Sequence, residues 1–327
     1  MMSVNNHSNL RSPATEASDA VVPAAHLWVR LLRLGMGSAL LFQALGVWPD
    51  LKYIATWNAI VPTSIAELVN PRWFPRVGWF APLLAHVGLD GPKAFVFFFA
   101  LYTMLLIALI VNFYPKITSL LVFVLHLVIA GSIYFTLYGV DRFASIGLFY
   151  CVIAPGRIPL PERSDVLWRS RAVRCLLQFH LLVLYWTAGI AKSFGPQWWH
   201  GEAVWMAVTQ PIYRGAIDVA SLAALPGVAV VAGISTLVIE IGYPFFMLPK
   251  TTRPVWLAAV MSMHLGIGLF MDMWSFAFVM IALNVGGFGS EYVAELLNWR
   301  ANAWRPKGRR LQIERAGKTN DATVTPS

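Results

Sequence analysis

The chain has 327 residues, 57% of them hydrophobic and only 13% charged. Soluble domains carry roughly 25% charged residues, so half that share, combined with apolar runs near twenty residues, excludes a soluble globular domain. The formal charge of +9 needs no nucleic acid to explain it, because the excess sits largely in one set of loops, as the positive-inside rule requires.

In chain order, residues 1–25 are rich in Ser, Asn, Ala and Pro and have no apolar core. They read as a disordered polar tail, with no cleaved signal peptide. A first span is predicted over 27–48, with Arg30 and Arg33 in its opening turns. Residues 49–92 hold Trp57, Pro62, Pro71, Trp73, Pro75 and Trp79. Indoles favour the headgroup region and prolines interrupt a helix, so this stretch is expected to be an outer loop with short interfacial helices. Spans follow at 94–111 and 117–137. Then Tyr138-Gly139-Val140-Asp141-Arg142 interrupts the apolar sequence before a short fourth span at 143–154. A basic stretch follows, with Arg157, Arg163, Arg169, Arg171 and Arg174. Further spans are predicted at 173–190, 228–248, 255–271 and 274–287, with a second outer loop over 193–227.

The expected fold class is therefore all-α, a polytopic transmembrane bundle of about eight spans. Its domains are the tail 1–25, the membrane domain 26–290 and a basic cytoplasmic tail 291–327. Eight spans place both termini on the cytoplasmic side together with Lys116, the arginine stretch, Lys250 and Arg253, so charge bias and span count agree. Cys151 and Cys175 form no disulfide framework and no metal spacing, and no metal site is expected.

Polar residues in or beside the spans carry the functional reading. Lys192 ends the fifth span and precedes Gly195-Pro196, which breaks the helix. A lysine there either snorkels into water or becomes desolvated. The Ala188-Gly189 step allows another helix to approach closely, and desolvation favours the neutral amine that acts as a base. Asp141-Arg142 either closes a turn as a local ion pair or lines a cavity. Asp218 and Asp272 read as helix-end residues facing water. Glu240, inside the sixth span, is costly unless protonated or paired, and His264 on the next span is its expected partner in a structural polar pair. His126 and His180 read as hydrogen-bonded bundle histidines.

Three segments carry a resemblance. They are Tyr185-Trp186-Thr187-Ala188-Gly189-Ile190-Ala191-Lys192 with the Trp and Gly that follow, Tyr138 to Arg142, and Glu240-Ile241-Gly242-Tyr243-Pro244 through Arg253 to His264 and Trp274-Ser275-Phe276. In order and spacing they resemble the HTTM (horizontally transferred transmembrane) family, whose best-known members are the vitamin K-dependent γ-carboxylases. That resemblance implies a lysine base, at Lys192, for a quinone or hydroquinone cofactor, with Asp141 and His264 as further catalytic candidates. Arg142, Trp199 and His200 are the expected cofactor-binding residues. The family carries a histidine in the region of Asp141, and its large luminal domain has no counterpart here, so the resemblance implies a quinone-linked carboxylase/oxygenase-like enzyme with an outward-facing cavity, without full γ-carboxylation of a protein substrate. The expected setting is the lipid bilayer of a bacterial inner membrane. The rival expectation is a non-enzymatic membrane partner for export, maturation or immunity toward a secreted peptide or protein. A transporter is disfavoured because no internal repeat is visible.

Overall fold

A long apolar run without water has to satisfy its backbone internally, and helix is the local way to do so. The computed structural model describes residues 24–54, 71, 73–133, 138–156, 164–213, 219 and 225–303, and no strand occurs among them. The expectations for 1–23, Trp57, Pro62, Arg157, Arg163, Asp218 and 304–327 lie outside these residues. Helix α1 (Ala24–Val47) leads through a 3-10 turn into α2 (Leu51–Ile54). A second 3-10 turn (Val77–Trp79) and α3 (Ala81–Ala85) precede α4 (Gly91–Ile110) and α5 (Pro115–Ser132). Next come α6 (Gly139–Ile153), the 30-residue α7 (Ser164–Ser193), and the short α8 (Pro196–Trp199) and α9 (Glu202–Thr209). The chain continues with α10 (Pro226–Met247), α11 (Arg253–Met271), α12 (Trp274–Asn284), a π-helical turn (Val285–Gly289) and α13 (Ser290–Ala303). Proline stands in the first turn of α4, α5, α8, α10 and α11, where its missing N–H costs no hydrogen bond.

Among the described residues, seven stretches are long and apolar enough to cross a membrane: Leu27–Ile54, Gly91–Ile110, Pro115–Ser132, Ser164–Ser193, Gly227–Met247, Arg253–Met271 and Trp274–Arg300. The protein is thus an all-α, multi-pass membrane protein. The expected fourth span differs from the rest. With 15 residues, α6 rises only about 22 Å, against a hydrocarbon core of about 30 Å.

Internal contacts divide the chain into Trp28–Gly289 and a smaller unit of Met1–Leu27 with Ser290–Ser327. In the smaller unit, α13 leaves Leu296, Leu297 and Trp299 exposed.

Within the larger unit, polar side chains fix the register of α6. Arg33 is fully buried and its guanidinium donates to the carbonyls of Cys151, Pro155 and Gly156, each at 3.0 Å. A cation there satisfies the orphan carbonyls at the end of α6 and meets the negative end of its dipole. One level away, Gln43 Nε2 donates to Asp141 Oδ1 at 3.2 Å. The two contacts are ten residues apart on both helices, so α1 and α6 run antiparallel. Helix α5 repeats the match. Lys116 Nζ donates to the Val152 carbonyl at 2.9 Å, and His126 Nε2 meets the Asp141 carbonyl at 3.1 Å. The carbonyl can only accept, so the neutral His126 ring carries its proton on Nε2, and Nδ1 takes the Tyr102 hydroxyl at 3.2 Å. His180 Nδ1 likewise meets the Tyr150 hydroxyl.

The π-helical turn contains Gly286, Gly287 and Gly289. The Gly287 carbonyl in this turn accepts from two side chains of α7, Arg174 Nε at 2.9 Å and Gln178 Nε2 at 2.8 Å.

Arg33→Met removes the donor from three carbonyls at once. At about 1–3 kcal/mol for each buried group left unsatisfied, the variant should lose several kcal/mol and melt well below the parent in detergent. Arg30→Met, at an exposed position three residues earlier, should stay within about 0.5 kcal/mol. Equal melting temperatures for the two would show that Arg33 does not hold α1 to α6.

Candidate functional site

Helix α7 lies along α10 in the antiparallel sense. The approach is close because Gly189 has no side chain: a Cβ there would stand 2.8 Å from the Ile241 nitrogen and 2.9 Å from the Glu240 Cβ. The small-residue step thus brings α7 onto the Glu240 turn. Pro244, within α10, lacks the N–H that would bond the Glu240 carbonyl, which loosens the helix at the same turn.

That geometry joins Lys192 to Glu240. Lys192 Nζ lies 2.6 Å from both Oε1 and Oε2. The Lys192 side chain is 26% exposed and that of Glu240 only 8%. The ring of Trp198 covers the ammonium, with 5.2 Å from Nζ to its centroid. Glu240 is fourteen residues into α10, roughly 21 Å from its start, so Lys192 stands beside the middle of α10 rather than at its outer end. The remaining length of α10 is covered by the segment after the Gly195-Pro196 break. Gly201, at φ +79°, sits against Ala229 and Val230, and Gly233 admits the Trp198 carbonyl. Residues 196–209, expected in an outer loop, therefore pack as two short helices against the first half of α10.

A second polar group adjoins the pair. The Tyr185 ring stacks on Tyr243 with centroids 4.2 Å apart. The Tyr243 hydroxyl donates to Asn284 Oδ1 at 2.7 Å, and Asn284 Nδ2 donates to the Tyr185 hydroxyl at 2.8 Å. That hydroxyl, having accepted one proton, donates its own to His264 Nε2 at 2.6 Å. His264 is buried, and its Nδ1 has no partner among the described residues.

The expected pair of Glu240 with His264 does not form. The carboxylate is taken by Lys192, and the imidazole by Tyr185. The indole over Lys192 belongs to Trp198. Trp199 instead donates its N–H to the Ser193 carbonyl at 2.9 Å, and His200 is exposed. Asp141 and Arg142 form no ion pair. Asp141 is buried, and its Oδ2 accepts the Tyr138 N–H at 3.1 Å, capping α6, while Arg142 is exposed. Asp141 belongs instead to the group around Gln43 and His126, and Phe276 of α12 touches both α6 and α11. That ring lies 5.6 Å from His264 and 5.7 Å from Phe143. Of the expected catalytic set, Lys192 and His264 flank one network and Asp141 stands in another. Tyr185, Tyr243 and Asn284 were not singled out. Their one signal is a polar atom inside an apolar run, which tyrosine shares with every interfacial aromatic residue.

Among the described residues, no group of three His, Cys, Asp or Glu side chains could hold a metal ion. Chemically, the pair offers an ammonium and a carboxylate that can exchange a proton in a poorly hydrated place. Compared with known proteins, the chain matches no family model, no curated protein and no solved structure.

Replacing Lys192 by Met leaves Glu240 buried without its cation. The cost is about 3 kcal/mol, at the low end of the range for breaking a buried pair because Lys192 is partly exposed. Lys192→Met with Glu240→Gln should recover most of that loss in a thermal melt. Additive losses in the double variant would mean that the pair contributes no coupling.

Proposed function

We propose that the protein is an HTTM-like protein of a bacterial inner membrane whose Lys192–Glu240 pair is an acid–base site for a small lipid-soluble acid of the hydroquinone class. The observation that carries this reading is the placement of the pair. A lysine ammonium is held at 2.6 Å by a carboxylate beside the middle of α10, under an indole ring, yet keeps a quarter of its surface open. Ionisable groups at such depth are expensive and mark functional sites by default.

The residues fit a planar phenolic molecule: the open face of Lys192 meets a hydroxyl and the Trp198 indole offers a stacking surface. A hydroquinone supplies an acidic hydroxyl that becomes an electron-rich oxyanion when its proton leaves. In the resting pair, Lys192 holds the proton and Glu240 the negative charge. Transfer of that proton to Glu240 leaves a neutral amine, and the amine then takes the hydroxyl proton, so charge is conserved at each step. Trp198 and the α8–α9 segment restrict water around the exchange.

For orientation, the reading takes α6 as an eighth crossing and both termini as cytoplasmic. Two observations support it. Arg33, Lys116 and the end of α6 share one level, and Lys250 and Arg253 lie in the turn between α10 and α11, which eight crossings place on that same side.

The test uses full-length protein purified from its own membrane in mild detergent, offered a short-chain benzoquinol and then extracted into solvent for quinone absorbance. Wild type should retain the molecule. Lys192→Ala and Glu240→Gln should each retain about tenfold less, a change of about 1.4 kcal/mol, and Trp199→Phe should match wild type. If wild type retains and binds none, the acid–base reading fails and a membrane partner for a secreted peptide becomes the better account. Retention unchanged by Lys192→Ala would also defeat it.

A further inference from the structure

A cavity separate from the Lys192 site opens at the start of α6. It is half open, has a volume of about 240 Å³, and is lined by Phe42, Gln43, Gly46, Tyr138, Asp141 and Ser275 among others. Gln43 and Asp141 also border a smaller void of about 40 Å³ beside Tyr102 and His126, the size for one water. The larger one equals about eight waters at roughly 30 Å³ each, room for a molecule of roughly eight to ten non-hydrogen atoms.

The polar wall of this cavity is built to accept. Gln43 spends one N–H on Asp141 Oδ1 and keeps its amide oxygen as an open acceptor beside its second N–H. Each Asp141 oxygen takes one donor, Gln43 Nε2 or the Tyr138 N–H, and keeps a lone pair. The Tyr138 and Ser275 side chains complete the polar part of the wall. No cation among the described residues pairs with the Asp141 carboxylate. Arg142, next in the chain, is exposed, and His126 bonds the Asp141 main-chain carbonyl rather than its side chain. A buried carboxylate without a counter-ion is costly. The apolar part of the wall includes the Phe42 and Tyr138 rings, whose faces attract cations. A divalent metal is a poor match, because no three metal-ligating side chains gather here.

From this juxtaposition we infer that the cavity between α1, α6 and α12 binds a small organic ammonium, with Asp141 as counter-ion, Gln43 as second acceptor and the apolar body against Phe42. The inference does not rest on the Lys192 reading.

The test is calorimetric titration of the purified full chain in detergent with benzylammonium at neutral pH, and with benzyl alcohol as its uncharged near-isostere. Benzylammonium should saturate one site and bind at least about tenfold tighter than the alcohol. Asp141→Asn keeps the side-chain acceptor for the Tyr138 N–H and removes only the charge, so the two probes should come within about twofold. Gly46→Leu should abolish binding of both. A Cβ at Gly46 meets nothing within 4 Å, so the added side chain fills the cavity rather than straining the helix, and the melting temperature should not fall. The inference is overturned if the alcohol binds as tightly as the amine, if Asp141→Asn leaves the preference intact, or if neither probe saturates.

Discussion

Gly189 sets the distance on which the Lys192 site depends. A Cβ at this position would fall within 2.9 Å of α10 at Glu240 and Ile241, closer than packed atoms stand, so a larger residue would hold the two helices apart. With glycine there, the backbones close, and the lysine one turn further along α7 reaches the carboxylate with both oxygens in range. In an apolar medium the alternative for Glu240 is an unpaired charge or a protonated acid. The ion pair is therefore less a source of stability than a consequence of packing that makes a buried carboxylate tolerable.

The same rule, that a bundle must satisfy its polar groups from within, organises the other half of the molecule. Arg33 and Gln43 on α1, and Lys116 and His126 on α5, meet α6 at two levels ten or eleven residues apart. These contacts explain how a 15-residue helix can hold its place among longer ones. Its first turn is capped by Asp141, and carbonyls of its last turn are taken by Arg33 and Lys116, so side chains do at both ends part of what water does elsewhere. The exposed long faces of α4, at Phe97, Met104 and Ile107, carry no such polar contacts and suit lipid.

Much of this was legible in the sequence, and what failed did so for one physical reason. The helical bundle follows from apolar run lengths and low charge. Lys192, Glu240 and His264 stand out because ionisable groups in such runs are rare. Which of them meet was not legible, since hydropathy assigns every span the same slab. On that picture Lys192 lies at the outer boundary, and His264 is the expected partner of Glu240 because it stands on the next span. In the structure α7 stops beside the middle of α10, and α8 and α9 complete the layer. The Gly195-Pro196 break was visible, but a break marks only where a helix ends, not how deep. Asn284 escaped notice because one amide in an apolar helix has no periodic signature. Its role comes from Tyr185 and Tyr243, which are distant in sequence.

Separation of the two polar groups changes what the charges mean. A single cavity holding Lys192, Asp141 and His264 would put a cation beside an anion, and Asp141 would be neutralised from within the protein. Instead Lys192 is bound by Glu240, and the Asp141 carboxylate holds the Gln43 amide and the Tyr138 N–H, with no cation paired to it among the described residues. Charges in this poorly hydrated setting are weakly screened, so each is held by the groups nearest to it: Lys192 by Glu240, and Asp141 by the Gln43 amide and the Tyr138 N–H. The two sites therefore differ in kind. One is internally neutral and suited to moving a proton, and the other carries a net negative charge and is suited to receiving a cation from outside the chain.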